Sequence, residues 1–420
     1  TVLSGPAASV IGACALSGAN HAIVADMGGT TTDIAIVTDG QPELDSEGVR
    51  IGDCRPMVEA VRVFSLGLGG DSEVSFGGSK GIEIGPRRVV PMSLLGDQHP
   101  WIMDALDGQL SKVPNARNNR FAMRLEHNEV LISRLSNIER QAWDLLADEP
   151  VELEAVIERD RHAARALARL HRMGLVIFSG FTPTDAAHVL DMSDHWNRDA
   201  AVLAAQIWAR QMRHVYGLGR WQEGDAEAPA RDVFERVITG ISQALVDAGL
   251  HQHDLLDDGD SRRVSKLLAR LILESQSRRP TSGEAKEIFH LGFGSNHPVV
   301  AVGAPASTWY PQAAQSLGAA LVLPDNADVA NAYGAVLGSV VQRAQVTVAQ
   351  PKNGTFMLYS REEPVTFHDL DKAISQAERL ASAEAEALAR AAGSSGAEIT
   401  LSRLSNHVEH DIDGDLFLEM

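Results

Sequence analysis

Cysteine is almost absent from this sequence, which has only Cys14 and Cys54 in 420 residues. Two cysteines cannot build a disulfide framework or a four-cysteine zinc site. Neither cysteine lies in a pattern that activates a thiolate, so we predict structural roles for both. No apolar run approaches the roughly 18 residues that a membrane helix requires. We therefore expect a cytoplasmic protein with no membrane partner.

Basic residues are also in deficit, since 37 Lys and Arg face 56 Asp and Glu, for a formal net charge of −19. Such a chain repels nucleic acid and anionic lipid unless it carries a local basic stripe, and we find no such stripe. Nucleic acid is therefore not an expected partner. What the chain does have is 44% hydrophobic residues, which is typical of a globular protein with a large buried core.

The first part of the chain, residues 1–135, is rich in glycine and in short β-branched runs. Residues 21–25 and 33–38 read as two strands joined by a tight connection over 27–32. Asp39-Gly40 is a turn signal at the end of the second strand. We predict that this region is the β-rich part of an α/β domain.

Residues 136–280 instead carry apolar residues at helical spacing, and we predict a helical insertion there. The predicted helices include 160–173, 198–215 and 264–275. Thr182-Pro183-Thr184-Asp185 has the cap, proline and acidic residue of a helix start.

Strands are predicted again in residues 281–345, at 298–302 and 321–323, with helices at 311–317 and 331–341. We assign this segment to the same domain as residues 1–135.

Residues 346–420 are predicted to form a small α+β extension. It should contain a strand at 355–359, an alanine-rich helix at 367–392 capped by Thr366, and a strand at 398–404.

The sharpest local feature is Asp26-Met27-Gly28-Gly29-Thr30-Thr31-Thr32-Asp33 between the first two strands. Glycines let backbone N–H groups approach a phosphate, and threonine hydroxyls add donors. An aspartate at a strand end can hold Mg²⁺ beside phosphates. The residues alone leave open a second interpretation, a glycine-rich hairpin with solvated threonines.

An Asp-x-Gly-Gly-Thr hairpin between antiparallel strands resembles the phosphate-binding hairpin of the actin, sugar kinase and Hsp70-like ATPases. The chain is similar to one branch of them, the hydantoinase/oxoprolinase family, specifically its A-type ATP-using subunit. The resemblance rests on segments that occur in the family's order: 4–13, 26–33, 65–72, 181–190, 302–304 and 330–338. It implies an actin-like (ribonuclease H-like) α/β ATPase fold with a helical insertion and a small C-terminal α+β extension.

The resemblance also implies a reaction. Family members use ATP and Mg²⁺ to phosphorylate the amide carbonyl oxygen of a cyclic amide, such as a hydantoin or 5-oxoproline, and water then opens the ring. A B-type subunit or a second copy of the chain would be the partner.

Site residues follow from the same resemblance. Gly28, Gly29, Thr30 and Thr31 would hold phosphate, and Asp26 would organise Mg²⁺ and take part in catalysis. The turn at Gly303-Ala304 would face the adenosine. Asp71, after Gly69-Gly70, would be a second catalytic residue in the cleft, although a turn-capping role is equally open.

The sequence departs from the family in three places. It has no earlier Asp-Gly-Gly-Thr hairpin and opens on Thr1, so we expect the C-terminal portion of a longer protein. Gly85-Pro86-Arg87-Arg88 lacks the family's Gly-Pro-x-Cys-Tyr continuation, and the adenosine turn has one glycine, Gly303. Two alternatives therefore stay open: a kinase or carboxylase-type subunit of the same fold, and a non-catalytic nucleotide-binding switch subunit.

Histidines complete the candidates. We predict that His188 is a hydrogen-bonded core or interface histidine rather than a substrate ligand, and His195 is a weaker candidate still. His251 and His253 should lie in a solvated loop. The cluster of His and Asp at 407–415 is predicted to be an exposed acidic end rather than a metal site.

Overall fold

The protein is described from a computed structural model. It describes residues 5–45, 60–125, 129–147, 149–251, 258–277, 294–337, 344–352, 354–391, 393–394, 396, 398–403, 405–410 and 414–419. Contacts divide the chain into two compact units. The large unit is Ser4–Leu337, and the C-terminal unit is Gly338–Met420 with Thr1–Leu3.

The large unit combines short strands with longer helices. Its strands are β1 (Ala22–Met27), β2 (Thr32–Thr38), β3 (Gln41–Pro42), β4 (Leu44–Asp45), β5 (Ala60–Val61), β6 (Phe64–Leu66), β7 (Ser72–Phe76), β8 (Ile82–Arg88), β9 (Val90–Pro91), β10 (Phe121–Arg124), β11 (Val151–Glu152), β12 (Val176–Gly180), β13 (Val299–Val302) and β14 (Leu321–Val322). Its helices are α1 (Gly5–Ser17), α2 (Met92–Gln98), α3 (Ile102–Ser111), α4 (Glu129–Ser133), α5 (Asn137–Asp144), α6 (Leu153–Arg159), α7 (Arg161–Arg172), α8 (Pro183–Val189), α9 (Arg198–His214), α10 (Glu227–His251), α11 (Asp258–Ser277), α12 (Ala306–Ser316) and α13 (Ala330–Leu337).

The main sheet of this unit has the strand order β14-β13-β1-β2-β3, and β6 also pairs with β2. β1 is parallel to β13, and β13 is parallel to β14. β2 is antiparallel to both of its neighbours in this order. A five-stranded order in which only the second strand runs against the others is that of the ribonuclease H-like fold of the actin-like ATPases. The predicted fold class is confirmed.

Local sequence accounts for the hairpin at the centre of this sheet. Most side chains of β1 and β2 are buried, which suits their β-branched and small apolar residues. Asp39 and Gly40 both adopt positive φ, 53° and 72°. Two such residues make a turn whose twist matches the flanking strands, so the predicted turn is confirmed.

The segment 136–280 is mostly helical, as predicted, but it also supplies β12. This strand is parallel to β9 and antiparallel to β10 in a second sheet, of order β11-β10-β12-β9. Residues of α8, α9 and α10 share one hydrophobic core with residues of the first strands and helices, among them Met27 and Phe121. The divisions at 135 and 280 stay predictions.

The helices α8 and α12 both begin at positions that test a prediction. The start of α8 is confirmed, because Thr182 and Asp185 form a capping box and Pro183 occupies the first turn. The helix predicted at 311–317 begins earlier, at Ala306, and contains Pro311. Because proline has no N–H, the carbonyl oxygen of Ser307 receives no helical hydrogen bond from position 311.

The C-terminal unit has strands β15 (Thr347–Lys352), β16 (Thr355–Tyr359), β17 (Val365–Phe367), β18 (Asn406–His410) and β19 (Gly414–Glu419), with helix α14 (Leu370–Ala391). The sheet order is β17-β16-β15-β19-β18. The strand predicted at 355–359 is confirmed as β16.

Two other predictions for this unit are wrong. The strand at 398–404 is absent from the described residues 398–403. Ile399 and Leu401 are 41% and 50% exposed there, so these alternating apolar side chains gain no stabilisation from burial in a sheet. Thr366 lies in β17 rather than capping a helix, and α14 begins at Leu370. There the carboxylate of Asp369 accepts a hydrogen bond from the N–H of Lys372, at 3.2 Å.

Across the described residues, no helix is both long enough and apolar enough to cross a membrane.

Candidate phosphate-binding site

The connection between β1 and β2 is a tight glycine-threonine loop. The N–H of Gly28 donates to the carbonyl oxygen of Thr31, at 2.9 Å, and closes the loop. Among the described residues, no group accepts a hydrogen bond from the backbone N–H groups of Gly29, Thr30 and Thr31. Successive free N–H groups in a turn form a concave donor surface that suits an anion. The loop is therefore built like a phosphate site.

The three threonines of the loop have different tasks. Thr32 is fully buried, and its hydroxyl donates to the carbonyl oxygen of Leu68, at 2.7 Å. The Thr31 hydroxyl donates to a carboxylate oxygen of Asp33, at 3.2 Å. The half-buried Thr30 has no hydrogen-bond partner for its hydroxyl among the described residues. Of the two predicted threonine donors, Thr30 is the one whose hydroxyl is free for a ligand.

The glycine segment 69–71 packs directly against this loop. The N–H groups of Gly70 and Asp71 donate to the carbonyl oxygens of Gly28 and Gly29, at 3.1 and 2.7 Å. A Cβ atom on Gly69 would lie 2.4 Å from the carbonyl carbon of Gly29, so only glycine fits. These bonds turn the carbonyl groups of the loop toward the protein.

Asp71 lies at the tip of the same loop. A Cβ atom on Gly29 would be 2.4 Å from a carboxylate oxygen of Asp71. The carboxylate pairs with Arg88, whose Nη2 and Nε lie 3.0 and 3.2 Å from Oδ2. Burial raises the pKa of Asp71, and Arg88 opposes that rise. Asp71 is therefore adjacent to the loop, and its catalytic role in the cleft stays a prediction. Its partner Arg88 was not among the predicted site residues.

Asp26 and Asp33 face each other across the base of the loop, as paired residues of β1 and β2. Burial raises the pKa of Asp26; a hydrogen bond from Ser9 lowers it, and the nearby Asp33 raises it further. The Asp33 carboxylate also accepts a hydrogen bond from Ser65. The structure thus brings two carboxylates together where the sequence analysis selected only Asp26.

These carboxylates fit Mg²⁺ only in company with a ligand. In the part of the chain that the structure describes, no three His, Cys, Asp or Glu side chains converge as a metal site. Mg²⁺ is usually held by one or two carboxylates together with phosphate oxygens and water. The donor set at Asp26 and Asp33 suits that arrangement.

Gly303 approaches the same base from the end of β13. Its φ is +96°, and a Cβ atom there would lie 2.2 Å from the Met27 carbonyl oxygen and 2.9 Å from Oδ1 of Asp26. Glycine is thus required by the contact with β1. Ala304, the next residue, is exposed. The structure places both residues beside the loop, and their contact with an adenosine stays a prediction.

Tyr310, on α12, was missed by the sequence analysis. Its side chain is fully buried, and its hydroxyl has no hydrogen-bond partner within the described ranges. Burial raises the pKa of this phenol, and Asp26 and Asp33 raise it further. Its spacing within an ordinary helix carries no signal that sequence reasoning could have used.

The N-terminal part of the chain, which contains the loop, is similar to a known protein family. Residues 1–99 match the family model described as hydantoinase/oxoprolinase. Over this stretch the chain is similar to the hydantoinase/oxoprolinase family. The stretch contains the 28–31 loop, Asp71 and Arg88. No curated protein matches the sequence.

Two solved structures are similar over 99% of this chain and 42% of their own. One is a nucleotide-free acetone carboxylase, from work on ATP-dependent acetone carboxylation, with a TM-score of 0.44 and 16% identity. The other is an ATP-dependent caprolactamase from Pseudomonas jessenii, with a TM-score of 0.45 and 15% identity. The chain therefore spans less than half the length of either protein.

The segment 181–190, which lies outside the matched residues 1–99, contacts the glycine segment 69–71. The hydroxyl and the N–H of Thr184 both donate to the carbonyl oxygen of Gly70, at 2.8 and 3.0 Å. Asp185 is fully buried and accepts hydrogen bonds from Met92, Ser93 and Thr182. One carboxylate thereby joins the starts of α2 and α8 beneath the glycine segment.

His188 is a core histidine, as predicted. It is fully buried, its Nδ1 lies 2.8 Å from the Thr184 carbonyl oxygen, and its Nε2 lies 3.1 Å from the Trp196 backbone nitrogen. Both contacts are satisfied when Nδ1 carries the hydrogen and Nε2 accepts. The ring therefore holds the end of α8 and is not directed at a substrate.

The other predicted residues lie outside the site. His195 is exposed beside Asp194. His251 is the last residue of α10, in edge contact with the Phe64 ring, so its placement in a solvated loop was wrong. His253 is outside the described residues.

The two cysteines and the His and Asp cluster at 407–415 are the remaining predicted residues. Cys14 is a free, partly buried thiol on α1, and burial raises its pKa, which leaves it unreactive. Cys54, Asp411 and Asp413 lie outside the described residues. Of the cluster at 407–415, residues 407–410 lie in β18 and residues 414–415 lie in β19, and the predicted exposure stays a prediction.

Proposed function

We propose that this chain is the nucleotide-binding portion of an A-type hydantoinase/oxoprolinase that uses ATP to open a cyclic amide, such as a hydantoin or 5-oxoproline. The observation that carries the proposal is the set of free N–H groups at Gly29, Thr30 and Thr31, within the stretch that matches the family. Such donors hold a phosphate without any rearrangement at the moment of reaction.

Phosphate binding uses the loop and the charges beside it. The three N–H groups and the Thr30 hydroxyl donate to phosphate oxygens. Arg88 is 60% exposed and adds positive charge next to Asp71, at the tip of the loop. In this proposal the turn at Gly303-Ala304 faces the adenosine.

Asp26, with Asp33 opposite, would hold Mg²⁺ together with the nucleotide phosphates. The ion supplies positive charge that neutralises the phosphoryl group during transfer. Ser9 and Ser65 orient the two carboxylates, because each donates a hydrogen bond to one of them.

The proposed reaction balances with ATP and water as the co-reactants. The amide oxygen of the ring attacks the γ-phosphorus, and the bond from that phosphorus to the ADP oxygen breaks. A first water adds to the activated carbon, the ring C–N bond breaks, and the nitrogen takes a proton, which leaves an acyl phosphate. A second water cleaves this acyl phosphate to the carboxylate and phosphate. The products are ADP, phosphate and an open-chain carboxylate.

In this scheme Asp71 accepts a proton from the attacking water. Burial makes Asp71 a stronger base than an exposed aspartate, and the charge of Arg88 moderates that effect. A B-type subunit or a second copy of the chain would complete the cleft on the substrate side.

The test is phosphate release by the full-length protein, with and without hydantoin, 5-oxoproline and simple lactams. We expect one class of cyclic amide to raise phosphate release above ATP alone, and Asp26→Asn to abolish the increase. Stimulation only by bicarbonate with a ketone would instead indicate a carboxylase. ATP turnover that ignores every cyclic amide, together with changed partner binding in Asp26→Ala, would favour the switch subunit.

A further inference from the structure

The hydroxyl of Tyr310 is an anomaly in the core of the large unit. The residue is fully buried among apolar side chains, and within the described residues no protein group bonds to its oxygen. A buried hydroxyl without a partner lowers the stability of the free protein, whereas phenylalanine would fill the same space without that cost. The hydroxyl therefore contributes nothing to folding that a phenyl ring would not.

Its place in the fold points to the phosphate site. Tyr310 lies about one turn into α12, which begins at Ala306, directly after the turn at Gly303. Helical side chains lean toward the N-terminal end of their helix, here toward Gly303. Gly303 in turn approaches Oδ1 of Asp26 so closely that a Cβ atom would be 2.9 Å from it.

The electrostatics agree with this placement. Asp26 and Asp33 are the two carboxylates whose charge acts on the Tyr310 phenol and raises its pKa. The phenol therefore stays protonated and can only gain by donating its hydrogen to an acceptor. The candidate acceptors for this hydrogen are the carboxylates of Asp26 and Asp33.

We propose that Tyr310 is a positioning residue of the phosphate site, which donates a hydrogen bond to the Asp26 carboxylate when Mg²⁺ and nucleotide are bound. The inference rests on the proposed nucleotide-binding function. In the free protein the hydroxyl has no partner among the residues that the structure describes. The hydrogen bond from Tyr310 would hold the Asp26 carboxylate in one orientation for the ion, as partners of metal ligands commonly do.

This arrangement predicts effects of opposite sign for Tyr310→Phe. The midpoint of thermal unfolding of the free full-length protein should be unchanged or higher, because the unpaired hydroxyl is gone. The affinity for ADP with Mg²⁺, measured by calorimetry, should fall by about 10-fold, a loss typical of removing a partner of a metal ligand. The affinity for ADP in EDTA should be the same in both proteins, because Tyr310 acts through Asp26.

The matched control is Ser242→Ala, which removes another fully buried hydroxyl without a hydrogen-bond partner in the described chain, on α10. Its unfolding midpoint should respond like that of Tyr310→Phe, and its affinity for ADP with Mg²⁺ should not change.

The outcomes separate the two claims. If the wild-type protein does not bind ADP with Mg²⁺, the proposed function fails and this inference fails with it. If it binds and Tyr310→Phe binds equally well, only the inference is wrong. A lower unfolding midpoint for Tyr310→Phe, or an equal loss of affinity with and without Mg²⁺, would show a structural role or a direct nucleotide contact and would also overturn it.

Discussion

Gly69→Ala tests the contact on which the candidate site depends. The added Cβ atom would lie 2.4 to 2.5 Å from three backbone atoms, the carbonyl carbon and oxygen of Gly29 and the nitrogen of Thr30. Backbone atoms cannot rotate away as the end of a side chain can, so the 69–71 segment must move off the loop.

The magnitude follows from the contacts that are lost. Overpacking of a tight contact costs about 1–3 kcal/mol in free energy of unfolding. The displaced segment also loses the hydrogen bonds from Gly70 and Asp71 to the loop, at about 1 kcal/mol each. Movement of the segment relieves the overpacking but breaks the hydrogen bonds, so the two costs do not add in full. We expect a total loss of about 3 kcal/mol in the free energy of unfolding.

The assay is chemical denaturation combined with calorimetric titration of ADP with Mg²⁺. Gly69→Ala should unfold at lower denaturant and bind the nucleotide more weakly, since the loop loses its support. The control is Gly108→Ala on α3, where the added Cβ atom meets nothing within 4 Å. That change should raise the free energy of unfolding by about 1 kcal/mol, because alanine favours helix. A Gly69→Ala protein as stable as wild type, with the same affinity, would refute the packing described for the site.

Two further predictions concern side chains of unequal role. Thr30→Ala should weaken binding of ADP with Mg²⁺ at unchanged stability. Thr32→Ala should lower the free energy of unfolding by about 1–3 kcal/mol, because the buried carbonyl of Leu68 loses its donor. Equal effects of the two changes would contradict the different roles assigned to the two threonines. His188→Ala should lower the free energy of unfolding by about 2–4 kcal/mol, through the cavity and the lost hydrogen bonds, with the Michaelis constant for ATP unchanged in a steady-state phosphate assay; a raised Michaelis constant in a fully folded variant would instead place the ring at the substrate.

Local sequence patterns were enough to predict many of the helices and strands. The alternation in residues 21–38 predicted the β1–β2 hairpin, and the Thr182–Asp185 pattern predicted the start of α8, because both depend on neighbours within a few residues. The same reasoning failed at 398–404, where the alternation is right for a strand but Ile399 and Leu401 are exposed. Whether an apolar side chain finds a partner surface is decided by packing rather than by alternation.

The candidate site divides in the same way. Glycines and threonines in sequence between two strands were enough to select the 28–31 loop. They did not show that Thr32 is hydrogen-bonded to Leu68, or that Arg88 pairs with Asp71. Those contacts join segments far apart in the chain.

By itself, then, the amino-acid sequence selected the 28–31 loop as a candidate phosphate site, predicted the class of fold, and carried the match of residues 1–99 to the family model. The tertiary structure alone decided which groups surround that loop. The parallel pairing of β1 with β13 brings Gly303 to Asp26, and Gly69 packs on Gly29 in a loop whose three backbone N–H groups have no acceptor within the described ranges. The physical reason is that hydrogen-bond partners along a sheet and contacts across a core depend on which distant strands pair. No period within the sequence records that choice.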